Sequence, residues 1–332
     1  MGLLPMDADL LPPSDDRIFK LILTKEEAAP ALRDLISTII GRPVTDVIVR
    51  NSEMLSQDTE EKEERLDINC RVEEDGTQVD IEMYAHRVLE YVKNEPENLK
   101  GKGIFYACDL HSSQPSRGEG RYDNLAQTWQ VTFCMFTVFP ERKSFLNTFS
   151  LRHDEDNGLL SDQLRVVYVE LSKLREVLKK PVGEMTDLEK WSIFFRYANI
   201  PRYRKVVNEI IDSKEALAVA SELLMSVSKD EHERAVYRSR RMAETDRLSD
   251  LATAKDIGRR EGREEGIGIG RAEGIGIGRA EGIGIGRAEG TKKTEKKFVL
   301  SMLMRGWPIS EIKAVSDLTE DEIREIANQQ WQ

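Results

Sequence analysis

Histidine and cysteine are scarce in this chain of 332 residues, which holds four of the first and three of the second. His86, His111, His153 and His232 form no pair at metal-ligand spacing, which argues against a zinc centre. Cys70, Cys108 and Cys134 are odd in number, far apart and set in apolar runs. That is the pattern of reduced, buried thiols in a cytoplasmic protein, not of a disulfide framework. No run of about 18 apolar residues occurs, so no transmembrane helix and no membrane partner are expected. The opening segment lacks the basic start and apolar core of a secretory leader, and Met6 stands where a myristoylation signal needs Ser or Thr.

Positive charge is also in short supply. Lys and Arg number 49 against 60 Asp and Glu, for a net charge of −11. A field of that sign repels nucleic acid, so any contact with it needs a local basic patch. Two stretches offer one: Arg202, Arg204 and Lys205, and the run Arg238, Arg240 and Arg241. The alternative for each is a solvated helix face.

What is present begins with Ser14-Asp15-Asp16 ahead of Ile18, Phe19, Leu21, Ile22 and Leu23, a capped helix start. Leu32, Leu35, Ile36, Ile39 and Ile40 follow at helical spacing and stop at Gly41-Arg42-Pro43. Residues 44–49 are β-rich, 98–114 read as helix, 121–139 are mostly apolar, 164–171 read as strand, and 187–246 are rich in helix formers. The clearest local pattern lies at 65–84. Leu66, Ile68, Cys70 and Val72 alternate with Asp67, Asn69 and Arg71, and Val79, Ile81 and Met83 alternate with Asp80, Glu82 and Tyr84. Asp75-Gly76 between the two runs predicts a hairpin with a two-residue turn.

That turn sets Glu74 opposite Thr77, and hence Asn69 opposite Glu82 and Asp67 opposite Tyr84. Asp67 and Glu82 then become diagonal neighbours on one face, with Cα atoms roughly 7–8 Å apart. Two carboxylates so placed suit Mg²⁺, which takes one or two protein carboxylates and fills its octahedron with water and phosphate. A metal held there polarises a scissile phosphate and activates water. The plain alternative is a half-exposed sheet with a polar outer face.

Asp67 followed by Asp80-Ile81-Glu82-Met83-Tyr84 resembles the D…(D/E)xK core of restriction-endonuclease-like enzymes. It is similar in particular to the recombination-promoting nuclease and transposase family of the PD-(D/E)xK superfamily, in which the last position is usually Gln. Asp16-Arg17-Ile18-Phe19-Lys20 resembles the DxxFK start of that family. So do Asn98-Leu99-Lys100, the stretch Tyr106 to Gln114, Gly120-Arg121-Tyr122, and the Glu-Gly-Arg/Ile repeats near the C-terminus. The resemblance covers roughly residues 10–300. It implies an α/β fold, a restriction-endonuclease-like mixed sheet flanked by helices and followed by an α-helical C-terminal extension. It also implies a Mg²⁺-dependent DNA endonuclease, with Mn²⁺ as the alternative ion. Asp67 and Glu82 would be its metal ligands, Asp16 an acidic group that supports the metal or orients Lys20, and Gln114 a helix-borne polar residue facing the site. Tyr84 departs from the pattern, because it stands where Lys would bring positive charge to the phosphate and Gln would orient water.

The composition changes abruptly after residue 257. Of the 22 glycines, 11 fall between Gly262 and Gly290, and the octet Gly-Ile-Gly-Ile-Gly-Arg-Ala-Glu repeats at Gly266–Glu273, Gly274–Glu281 and Gly282–Glu289. Glycine every fourth residue makes a small-residue stripe if the segment is helical. Each glycine, however, costs about 1 kcal/mol against alanine, so a flexible linker is the alternative. Beyond it, 298–305, a Gly306-Trp307-Pro308 break and a short helix after Thr319 make a helical hairpin, too acidic for a DNA-reading motif. The expected organisation is a nuclease-like core over 1–185, a helical extension over 186–256, the octet repeat over 257–295 and the hairpin over 296–332. The repeat and tail are expected to form a homo-oligomer. Two other functions compete with the DNA endonuclease: a catalytically impaired nuclease-fold protein that binds DNA or a partner as an oligomer, and a non-enzymatic scaffold.

Overall fold

The structure is a computed structural model that describes residues 2–50, 68–85, 95–114, 122 and 124–328. Its contacts divide the chain into two units, Met1–Leu251 and Ala252–Gln332.

In the first unit the described strands form one six-stranded mixed sheet in the order β1-β2-β3-β4-β6-β5. The strands are β1 (Val47–Val49), β2 (Ile68–Val72), β3 (Gln78–Tyr84), β4 (Thr128–Cys134), β5 (Leu146–Phe149) and β6 (Leu164–Glu170). β3 runs parallel to β4, and β4 parallel to β6; the remaining pairs are antiparallel. Strict alternation sorts the side chains. Val79, Ile81, Met83, Val131, Phe133, Val167 and Val169 enter the main core, packed by α1 (Asp16–Thr24), α2 (Ala29–Ile40), α4 (Asp187–Tyr197), α5 (Arg204–Asp212) and α6 (Glu215–Lys229). Phe19 of α1 meets Phe133 of β4 at 5.9 Å and Phe195 of α4 at 5.0 Å. Asp15 caps α1 by accepting from the backbone of Arg17 and Ile18, and Gly41 ends α2 in the left-handed region at φ 75°.

The hairpin is present, but its turn is wider than a two-residue turn and its register differs. Ile68 pairs with Ile81, Asn69 with Asp80 and Arg71 with Gln78, two residues away from the register that Asp75-Gly76 predicts. Residues 73–77 connect the strands instead. Gly76, at φ 75°, donates its N–H to Val72 O, and Thr77 N–H donates to Asp75 Oδ1. A shift of two leaves each side chain on its expected face.

The polar face is no outer surface. Gln78, Asp80, Glu82, Thr128, Gln130 and Thr132 are all buried. They lie on the side covered by α3 (Glu95–Ser112), which packs Leu99 and Ala107 against Cys134, Val166 and Tyr168. Gly103 allows the close approach: a Cβ there would collide with the Tyr168 hydroxyl and stand 3.2 Å from its Cζ. Cys70 and Cys134 are buried as expected, whereas Cys108 is exposed, because its neighbour Ala107 faces the sheet. Arg204 is also buried and donates to Ala8 O, which removes it from any surface patch.

α7 (Glu231–Met304) begins in the first unit, where Arg17 bonds Glu233 at 2.9 Å. In the second unit the octets are helical and exposed, and apart from the neighbouring residues and the helix's own backbone nothing among the described residues stands within 4 Å of a Cβ built at any glycine from Gly258 to Gly290. Val299, Ile312, Ile323 and Ile326 form a small core among the end of α7, α8 (Ile309–Val315) and α9 (Glu320–Asn328), so the tail holds one helix more than the expected hairpin. Among the described residues no helix is long and apolar enough to cross a membrane.

Candidate active site

The polar face of β3 and β4 builds the site in rows. Asn69, Asp80 and Gln130 form one row, and Glu82, Thr132 and Tyr168 the next. Tyr84, Cys134 and Glu170 close the C-terminal end. Glu82 has 8% side-chain exposure, and a carboxylate so deep costs several kcal/mol unless a cation meets it. Lys102 of α3 supplies that cation, donating from Nζ to Glu82 Oε1. The ammonium also lies over two aromatic faces, 5.2 Å from the Tyr84 ring and 5.3 Å from the Tyr106 ring. Tyr84 in turn meets Phe136 edge-on at 5.8 Å. The side chain of Lys102 keeps 31% exposure, so solvent reaches the pair.

Beside Glu82 lie further buried polar atoms. Gln130 Oε1 and Nε2 and Thr132 Oγ1 have no hydrogen-bond partner among the described residues. Such atoms are costly and call for a ligand or ordered water. With Glu82 and Asp80 they make an all-oxygen acceptor set once the Gln130 amide turns its oxygen inward, and that set fits a hard divalent cation. Among the described residues no three His, Cys, Asp or Glu side chains converge, so a cation here would draw on few carboxylates and much water.

Nearby groups hold the frame. The Tyr168 hydroxyl, its pKa raised by burial and by the neighbouring Cys134 and Glu82, stays protonated and bonds Leu99 O at 3.2 Å and Lys100 O at 3.3 Å. The Cys134 thiol is pushed well up by burial, then by Glu170 and Glu82, and serves as packing. Glu170 is fully consumed by the N–H groups of Val138 and Phe139, by Asn147 and by Lys173.

Of the residues expected from the sequence, Glu82 and Tyr84 come together. Asp67 lies outside the described residues. Asp16 stands at the start of α1, where its carboxylate accepts from Arg240 at 3.0 and 3.1 Å. Lys20 is buried on the same helix. Gln114 clamps Ala126 through both its amide groups and also bonds Thr128 Oγ1 at 2.9 Å. Thr128 pairs with Gln78, and Thr132 with Glu82, so Gln114 closes the sheet four residues, or about 13 Å, from Glu82. Lys102, Gln130 and Thr132 were not anticipated. The signal for the lysine was Leu99, Gly103, Ala107 and Leu110, a narrow apolar stripe that turns Lys102 toward the sheet edge.

No curated protein and no solved structure matches the chain. A protein-family model does match residues 13–254, from the capped start of α1 through the sheet and into α7, and by that match the chain belongs to the PD-(D/E)XK nuclease family transposases.

Proposed function

We propose that this protein is a metal-dependent DNA endonuclease that hydrolyses phosphodiester bonds in recombination, mobile-element transfer or phage defence, with Asp67 and Glu82 as its metal ligands. The observation that carries the reading is Glu82 itself. It is a buried carboxylate whose neutralising partner, Lys102, is held between two aromatic rings, beside Gln130 and Thr132 side chains that have no partner among the described residues. Asp67 comes immediately before Ile68, whose partner Ile81 comes immediately before Glu82, which favours a two-carboxylate site. When bound there, Mg²⁺ or Mn²⁺ supplies Lewis acidity and a water of lowered pKa.

The chain's own residues divide the remaining work. Glu82 binds. Lys102 provides positive charge where negative charge develops on the phosphate, the role that Tyr84 cannot fill. The rings of Tyr84 and Tyr106 fix the ammonium, and Gln130 and Thr132 orient water. Asp16, Lys20 and Gln114 act as positioning residues. The test is digestion of supercoiled plasmid by the purified protein with Mg²⁺, Mn²⁺ or EDTA, alongside Asp67→Ala and Glu82→Ala. Nicking that needs the metal and both carboxylates supports the site. Two variants that cut as fast as the parent, with unchanged circular dichroism, overturn it.

A second reading, an impaired nuclease fold that binds DNA or a partner as an oligomer, draws on Tyr84 and on α7. The isoleucines of the octets, Ile267 to Ile285, are 49–71% exposed. A homo-oligomer through that helix would cover them, and light scattering on the full chain measures it.

A further inference from the structure

A cleft of about 670 Å³ opens at the C-terminal ends of β3 and β4, lined by Ala85 and Met135, the residues that follow those strands. Its other walls are Ser14 and Asp15 at the start of α1, Arg196 and Asn199 at the end of α4, and the beginning of α7. Every one of these residues belongs to the first unit. Along α7 the cleft takes Tyr237, Arg240, Arg241, Glu244 and Arg247, which recur at three and four residues and so share one side of the helix.

The arginines differ in what holds them. Arg240 is neutralised by Asp16 at 3.0 Å and Asp15 at 3.7 Å. The other three meet no carboxylate among the described residues. Arg196 donates to the thioether of Met135 at 3.3 Å, Arg241 reaches only the Tyr237 hydroxyl at 3.4 Å, and Arg247 has no partner there. Three guanidiniums with no ion-pair partner among the described residues share this cleft, against the one α7 carboxylate that lines it, Glu244, in a chain of net charge −11. Repulsion among them costs stability unless an anion joins them, and a guanidinium fork suits phosphate above other anions. The cleft is open, and α7 lines it from Tyr237 to Arg247. Arg241 and Arg247 are six residues apart, a rise of about 9 Å, over which one strand of duplex DNA presents two or three phosphates. Ala85 is three residues beyond Glu82, about 10 Å of extended chain.

We propose that this cleft binds the phosphodiester backbone of DNA flanking the bond to be cut, with Arg196, Arg241 and Arg247 as phosphate ligands and Arg240 as the strut that fixes α7 against α1. The inference rests on the nuclease reading for its ligand and extends it to a second, non-catalytic site. Binding there tracks the backbone and carries no sequence information.

The test is fluorescence anisotropy of a labelled DNA duplex in EDTA, where no cleavage intervenes. It compares the parent, Arg241→Gln/Arg247→Gln, and Arg271→Gln/Arg279→Gln, which makes the same charge change on exposed positions of the octets. Loss of two phosphate contacts lowers the salt slope by roughly 2 and weakens binding about 60-fold at ~0.1 M salt. That result for the cleft pair, with the octet pair at the parent value, supports the site. Equal behaviour of the two pairs overturns it, and so does a cleft-dependent preference for an RNA duplex of the same sequence. Plasmid cutting in Mg²⁺ separates this from the nuclease reading. A parent that never cuts, combined with a cleft pair that loses affinity, sinks the nuclease reading alone. A parent that cuts, combined with a cleft pair that binds and cuts like it, sinks the cleft alone.

Discussion

Lys102 on α3 donates to the buried carboxylate of Glu82 on β3, 20 residues earlier in the chain, and its ammonium lies over the rings of Tyr84 and Tyr106. Position 84, where the motif that the sequence resembles has Lys or Gln, holds an aromatic ring, and the cation arrives from the covering helix. Lys102→Met is therefore expected to lower single-turnover cleavage by about 10²–10³-fold, the 2.7–4 kcal/mol that one aimed donor contributes to a charged transition state. Binding of Mn²⁺, read by calorimetry, should persist in the variant, because Lys102 neutralises Glu82 and does not ligate the ion. Loss of metal binding together with cleavage would assign Lys102 to holding the fold.

Gly103 and Tyr168 set the height of α3 over the sheet. A methyl at position 103 meets the Tyr168 hydroxyl, and overpacking of this kind costs roughly 1–3 kcal/mol. Gly103→Ala should lose that much in urea unfolding and should also lower cleavage by displacing Lys102, its neighbour on the helix. Tyr168→Phe removes the colliding oxygen and loses bonds to Leu99 O and Lys100 O, a cost of about 1 kcal/mol. The double variant should cost less than the sum of the two single changes. Simple additivity would show that α3 does not rest on this contact.

The hairpin was legible because Ile68, Cys70 and Val72 alternate with polar residues, as do Val79, Ile81 and Met83, and period-two alternation depends on the strand alone. Its register was not legible. Register follows the turn, and the Asp75 side chain captures the Thr77 N–H while Gly76 bonds Val72, which widens the connection. Asp80 and Glu82 keep their expected face because a two-residue shift preserves parity. That the face is buried could not be read, since α3 turns the narrow stripe of Leu99, Gly103, Ala107 and Leu110 to it and otherwise looks solvated. Lys102 was half legible: the stripe turns it toward the sheet edge, but its partner lies across a strand-to-helix connection, and no local pattern links the two.

Tyr84 invites a prediction opposite to the one its sequence position suggests. From the motif alone, Tyr84→Gln should repair a defective site. In the structure the ring is packed against Phe136 and faces the Lys102 ammonium, a contact worth about 0.5–2 kcal/mol. Tyr84→Phe keeps the ring and should cleave within about threefold of the parent. Tyr84→Gln should cleave about tenfold more slowly, some 1.4 kcal/mol of barrier. Faster cleavage by the Gln variant would mark the tyrosine as a handicap.

His111 gives the fold a pH dependence near neutrality. It ends α3, where its Nδ1 lies 2.9 Å from Thr128 Oγ1 at the start of β4, and burial lowers its pKa from the usual 6.5. Folding therefore favours the neutral ring, and between the lowered value and 6.5 the unfolded chain binds more protons than the folded one. Stability from this group is complete above about pH 6.5 and is lost as the pH falls through the folded value. The parent should lose urea resistance from pH 7.5 to pH 5 more steeply than His111→Gln, which keeps a polar group toward Thr128 and cannot titrate. Carboxylates titrate lower and are common to both proteins, so the difference between the two curves isolates the imidazole. Superimposable curves would mean that His111 keeps its ordinary pKa and that the end of α3 is open to solvent.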